Sequence, residues 1–242
     1  MDRVKISDIF IDNLEWEEVA NFAERFIRSQ KGHQIITANS LMINAVERDS
    51  QLREAFHNAD LVLADSIGIV WASEFLGYGK PARIPGINLM LSFCELAASK
   101  EYTIYLLGSH GLVLNKAAEN LKKKFPGLKI LGMRDGYFKE NEDGEILKEI
   151  RNLKPDFLFA GIGSPRAEKW IYQNLRELNV PVCMGIGGSL DVISGRLRRA
   201  PRQFRQSGFE WTYRLLQEPW RIVRLLGLLR FVWKVIKQKM KR

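Results

Sequence analysis

Six short apolar runs, each ending in a polar or glycine-rich turn and followed by helical periodicity, constrain this chain to one fold class. The runs are Gln34–Ala38, Leu61–Ala64, Tyr102–Leu107, Lys129–Met133, Phe157–Ala160 and Val180–Met184. They are nearly continuous in apolar residues, as strands buried on both faces are. Helices are expected over Leu14–Ser29 (with Asp12 or Asn13 as cap), Ser40–Glu47, Gln51–Asn58, Ile67–Leu76, Asn88–Ser99, Leu112–Phe125, Glu142–Asn152 and from Pro165 to about Leu178. Val4–Ile11 reads as a short strand or hairpin. Strand, turn and helix repeated in this way predict an α/β fold. It is a mostly parallel open sheet flanked by helices, Rossmann-like.

The pattern stops at the tail. After Arg202 no strand pattern returns; a helix is expected over Gly208–Gln217, a break at Glu218-Pro219, and a longer helix over Trp220–Met240. Charge divides at the same place. Residues 196–242 hold 14 Lys and Arg against 2 Glu, and residues 1–195 hold 23 against 26 acidic residues. The expected organisation is a catalytic α/β unit over 1–195 and a basic helical appendage over 196–242. Such a tail suits a polyanion: an acidic membrane surface, a pyrophosphate or a nucleic acid. The N-terminus begins no long apolar run, so no signal peptide is expected, and no apolar stretch reaches the 18 residues or so of a membrane span. Cys94 and Cys183 lie far apart in apolar surroundings and read as free thiols.

In open α/β sheets ligands sit at the carboxyl ends of the strands. Asp65 follows Leu61–Ala64 directly, with Ser66 beside it. A carboxylate there can be a general base, or Asp65 or Ser66 can cap the next helix. Thr37 and Asn39 end the neighbouring run, and the loop Gly77–Gly86 carries Arg83. Three further ends are glycine-rich, at Gly108/Gly111, Gly161/Gly163 and Gly185/Gly187/Gly188. Glycine lets backbone approach a phosphate closely, and it also builds ordinary tight turns. Arg166 and Leu190 stand where a dinucleotide fingerprint needs its third glycine, and there is no Walker A pattern. His33, His57 and His110 are scattered, and no Asp-x-Asp exists to hold a divalent ion. No metal and no cofactor are therefore expected; a diphosphate would be met by Arg, Lys and backbone N–H. On the tail, Arg221 and Arg224 fall within about 60° of each other, joined by Arg214 if the helix ran through Pro219. Arg230, Lys234, Lys237 and Lys241 cluster on the other side, and Leu225, Leu226, Leu228, Leu229, Trp220, Phe231 and Trp233 add apolar and aromatic area suited to lipid headgroups. Basic residues alternating with large aliphatics do not make a nucleic-acid stripe, so no nucleic-acid partner is expected.

Several motifs in fixed order carry a resemblance. Thr37-Ala-Asn39, Ala64-Asp65-Ser-Ile-Gly68, Arg83-Ile-Pro-Gly86, Gly163-Ser-Pro-Arg-Ala-Glu-Lys-Trp170, Gly185-Ile-Gly-Gly-Ser-Leu-Asp191, Arg199-Ala-Pro201, Glu210-Trp211 and Arg214-Leu-Leu-Gln-Glu-Pro219 resemble the WecG/TagA/CpsF family of bacterial glycosyltransferases, most of all its TagA type. The resemblance covers essentially the whole chain. It implies transfer of N-acetylmannosamine from UDP to the C4 hydroxyl of N-acetylglucosamine on undecaprenyl diphosphate, as in wall teichoic acid synthesis. It also implies inversion, no metal, and a cytoplasmic location at the inner face of the membrane. Asp65 would be the base, with Thr37 and Asn39 orienting sugar groups and Arg83 on the donor. Gly108, Ser109, Asp135, Gly136, Tyr137, Gly187 and Asp191 would line the UDP pocket. Arg214, Arg221 and Arg224 would hold diphosphate, and the family suggests self-association as a homo-oligomer. One departure stands out: Ala167 occupies a position where the family has Gln, whose amide offers hydrogen bonds that a methyl does not. Two alternatives stay open: a related transferase using UDP-N-acetylmannosaminuronic acid, and a catalytically weakened nucleotide-binding protein at the membrane surface.

Overall fold

The computed structural model describes residues 2–139, 142–206, 208 and 210–241, with the side chains of residues 205, 206, 214, 221 and 224 outside that description. The chain opens with a hairpin, β1 (Arg3–Ile6) and β2 (Ile9–Asp12). Then follow α1 (Trp16–Ser29), β3 (His33–Ala38), α2 (Ser40–Val46), α3 (Ser50–Asn58), β4 (Leu61–Ala64), α4 (Ile67–Leu76) and α5 (Gly86–Lys100). The second half runs β5 (Thr103–Gly108), α6 (Gly111–Lys124), β6 (Lys129–Arg134), α7 (Asp143–Leu153), β7 (Phe157–Gly161), α8 (Arg166–Leu178), β8 (Val182–Gly185) and α9 (Ser189–Ile193). The tail holds α10 (Arg202–Gln206), α11 (Glu210–Gln217), a 3-10 turn (Pro219–Ile222) and α12 (Val223–Met240).

Strands β3 to β8 form one parallel sheet in the order β4-β3-β8-β7-β5-β6. Successive residues of each inner strand point to opposite faces, and both faces are covered. Ile35, Leu63, Ile104, Leu106, Phe157 and Phe159 pack with residues of α1, α5 and α6. Ile36, Val62 and Ala64 pack with α2, α3 and α4, and Tyr105, Leu107, Leu158 and Ala160 with α7 and α8. This two-sided burial is why the strands read as unbroken apolar runs. Cys94 and Cys183 are free and buried, and burial pushes the Cys94 thiol up to about 12.

Three local expectations are corrected. Helix α1 begins at Trp16 with a reciprocal capping box between Glu15 and Glu18. Asp12 does not cap it. Its buried carboxylate accepts from the Val62 N–H at 2.8 Å and pairs with Arg3 Nε at 2.7 Å, tying the hairpin to β4. Helix α5 begins two residues earlier than expected, at Gly86. The tail contains α10, which the sequence pattern did not suggest.

The tail helix docks on the body. Phe231 and Val235 are buried among Met42, Ile43 and Ile69. Asn44 Nδ2 donates to the Gly227 carbonyl at 2.6 Å, Lys234 pairs with Glu47 at 2.8 Å, and Gln238 bonds the backbone of the hairpin at Ser7 N and Lys5 O. A Cβ on Gly227 would lie 2.6 Å from Leu41, so the glycine sets how closely α12 approaches α2. Burying side chains the size of Phe231 and Val235 stabilises by roughly 1.5–3 kcal/mol each.

Candidate active site

A cavity of about 1180 Å³ opens at the carboxyl ends of the parallel strands. It draws its wall from the ends of β3, β4, β7 and β8, the turns after β5 and β6, and the tail. Thr37, Asn39, Asp65 and Arg83 all line it. The contact that assembles them is the start of α5. The Gly86 N–H donates to Asp65 Oδ1 at 2.8 Å, and a Cβ on Gly86 would lie 2.7 Å from Thr37 Oγ1. Only a residue without a side chain can sit there while Thr37 keeps its place. Ser66 is the N-cap residue of α4 but makes no side-chain cap bond. Asn39 does cap α2: its Oδ1 accepts from Leu41 N and Met42 N at 3.0 and 3.1 Å, leaving the amide nitrogen as the group it can offer a ligand.

The residues expected to hold the nucleotide divide into two kinds. Ser109, Gly136, Tyr137, Gly187 and Asp191 line the cavity. Gly108 and Asp135 stand behind that wall. Gly108 has φ +103°, and a Cβ there would lie 2.5 Å from the Gly161 carbonyl carbon. Asp135 is spent on backbone, accepting from Gly111 N at 2.6 Å and Tyr137 N at 2.7 Å, while Gly136 N donates to the Ser109 carbonyl. Asp135 therefore shapes the two turns that form this wall. Asp191 is paired with Arg196 at 3.0 Å, and Arg196 also lines the cavity.

Ala167 lies in the core with Phe138, Trp170 and Ile171, one layer behind the cavity, its Cβ 3.3 Å from the point a Cβ on Gly185 would take. Its neighbours on α8 do reach the site. Arg166 donates to the Gly136 and Phe138 carbonyls at 3.4 and 3.1 Å and lies over the Phe138 ring, bracing the turn after β6. Glu168, 4% exposed, lines the cavity floor against Gly185. Burial pushes its carboxyl up to about 7, opposed by hydrogen bonds from its own backbone N–H and from Ser164. Sequence reasoning missed the roles of Arg166 and Glu168. Their available signal was position: both sit in the first turn of the helix that follows a glycine-rich strand end.

The backbones of Arg214, Arg221 and Arg224 lie in α11, the 3-10 turn and α12, and their side chains fall outside the described residues. Leu215, Leu225 and Leu228 bring this part of the tail to the cavity rim. Among the described residues, no three His, Cys, Asp or Glu side chains are grouped to hold a metal, and no helix is long and apolar enough to cross a membrane.

Chemically, the site offers an oriented carboxylate with a threonine beside it, cavity-lining cations at Arg83, Arg166 and Arg196, and glycine turns open to phosphate. The family description "Glycosyl transferase WecG/TagA/CpsF family" matches residues 4–242. Over 241 residues the chain is 33% identical to a Staphylococcus aureus (strain MW2) protein, covering 99% of this chain and 94% of that one. Over 230 residues it is 32% identical to a Bacillus spizizenii protein, covering 95% and 89%. Both relatives carry the name N-acetylglucosaminyldiphosphoundecaprenol N-acetyl-beta-D-mannosaminyltransferase.

Proposed function

The chain belongs to the WecG/TagA/CpsF family of glycosyltransferases, and we propose that it transfers N-acetylmannosamine from UDP to the C4 hydroxyl of N-acetylglucosamine on undecaprenyl diphosphate. In this reading it builds the linkage unit of wall teichoic acid. The observation that carries it is the placement of Asp65 beside Thr37 and Arg83 in one cavity at the strand ends.

The reaction is a single in-line displacement. Asp65 takes the proton of the acceptor hydroxyl as that oxygen bonds to the anomeric carbon. The bond from the anomeric carbon to the phosphate oxygen breaks, its electron pair leaves with UDP, and the anomeric centre inverts. Negative charge gathers on the departing diphosphate. Cavity arginines, backbone N–H groups and Arg214, Arg221 and Arg224 of the tail meet that charge without a metal. Residues 1–195 form the catalytic unit and 196–242 the appendage that completes it. The cavity-lining leucines of α11 and α12 support this division. The acceptor is a lipid, so the enzyme works at the inner face of the cell membrane. The exposed Leu226, Leu229 and Trp233 of α12 and its basic residues support contact with the lipid surface. In solution, self-association would cover that apolar stripe.

Asp65→Asn tests the assignment. It preserves shape and removes the base, so transfer should fall at least about a hundredfold while UDP affinity stays near that of the parent. Transfer within a fewfold of the parent would remove Asp65 from the mechanism.

A further inference from the structure

A second concavity, of about 440 Å³, lies where α12 crosses α2 and adjoins the catalytic cavity, sharing Leu41 and Ala45 with its wall. Arg48, at the end of α2, and Arg230, on α12, line it from opposite sides, with Asn44, Val223 and Gly227 between them. Both arginines are exposed. The acidic residues flanking Arg48 are already engaged: Glu47 with Lys234 at 2.8 Å, and Asp49 with Lys169 at 2.8 Å. Lys169 beside Asp49 holds its carboxyl below the ordinary range, so Asp49 brings no unneutralised charge to the groove. Among the described residues neither Arg48 nor Arg230 has a carboxylate within ion-pair distance.

The surroundings select the anion. By angle around α12, Arg230 lies roughly 40° from Leu226 on one side and roughly 60° from Gly227 on the other. It therefore stands between an outward apolar stripe and the groove. That stripe is open: Val223, Leu226 and Leu229 are 69%, 71% and 67% exposed. A soluble anion would make no use of it. A second copy can cover the stripe in solution, but about a two-fold axis it would bring the arginines of one copy towards those of the other and leave their charge unmet. An amphiphile with a phosphate beside its apolar part uses both features.

We propose that the groove between α2 and α12 binds the headgroup phosphate of an anionic phospholipid, held by Arg48 and Arg230, while the neighbouring apolar stripe enters the acyl boundary. The guanidinium forks suit two phosphate oxygens each. Although the groove and the catalytic cavity share Leu41 and Ala45, neither arginine lines the catalytic cavity. Because α12 also borders that cavity through Leu225 and Leu228, a lipid seated here holds the tail helix on the body with the cavity at the membrane surface.

The inference rests on the proposed work at a membrane, and the test separates the two. The full chain is titrated with phosphatidylcholine vesicles, with and without about one third phosphatidylglycerol. Arg48→Lys with Arg230→Lys keeps every charge and removes the forks; Lys237→Arg with Lys239→Arg is the control on α12. The lysine pair should weaken binding to the anionic vesicles about tenfold, with the control within twofold of the parent. Equal binding by the parent and the lysine pair would overturn the groove and leave only diffuse charge attraction. Displacement of the parent by millimolar inorganic phosphate at constant ionic strength would overturn the lipid assignment in favour of a soluble anion. No binding of the parent to anionic vesicles would overturn the membrane reading and the inference with it. Transfer to a water-soluble acceptor analogue, unchanged in the lysine pair, shows that the pair is folded.

Discussion

Glu168 sits in the least water-like surroundings of any carboxyl at the site. Its ordinary value of 4.5 rises to about 7 because burial disfavours the charge. Between those two values the native state keeps a proton that the unfolded chain has released, so stability falls as pH rises through this window. Above pH 7 the full penalty is present, on the order of 3 kcal/mol. Glu168→Gln cannot ionise. Its melting temperature should match the parent near pH 4.5 and exceed it by several degrees at pH 8; parallel curves at both values would refute the assignment. Gly108→Ala should act in the opposite direction, destabilising by roughly 2 kcal/mol or more, because φ +103° and the Gly161 backbone leave no place for a methyl. A melting temperature unchanged in thermal unfolding would contradict this. The place of Asp65 at the cavity was legible in the sequence because it directly follows a buried strand, where ligands sit in open α/β sheets, although the same position also suited a helix cap. Glu168 was not, since a charged residue in a helical pattern reads as a solvated face. Asp135 does not line the catalytic cavity; its oxygens are spent on two turns, and side-chain bonds of that kind leave no mark in spacing.

Elements were legible where local pattern decided them and obscure where a distant partner did. The strands and most helices follow from apolar periodicity. Helix α5 starts at Gly86 because Asp65, 21 residues earlier, accepts its N–H, although Pro85-Gly86 reads locally as loop. The tail helix and the break near Pro219 were visible, but not the docking of α12, which depends on Asn44, Glu47 and the hairpin backbone. Phe231→Ala tests that docking. Phe231 is 2% exposed, and losing its ring costs about 3 kcal/mol or more. If α12 undocks as a unit, amide exchange should accelerate along Val223–Met240 while β3, β7 and β8 stay protected. Uniform acceleration through the sheet would show instead that the tail and body unfold together.

At the scale of the whole molecule, the sheet, the cavity at its carboxyl edge and the basic tail describe one arrangement. The parallel sheet supplies a rim, the strand ends supply Asp65, Thr37 and the glycine turns, and the tail brings Arg196 and the leucines of α11 and α12 to the same cavity. The fold class followed from six apolar runs, and the mixed wall of the cavity did not, because it joins residues more than 150 positions apart. The central claim is the reaction. Its direct test is sugar transfer by the full chain from UDP-N-acetylmannosamine to a lipid-diphosphate N-acetylglucosamine acceptor, with EDTA present and the product's anomeric configuration read by NMR. The expected product is a β-linked disaccharide lipid, formed at the same rate with and without chelator. An α-linked product, a chelator-dependent rate, or no product from a chain that still binds UDP would contradict it.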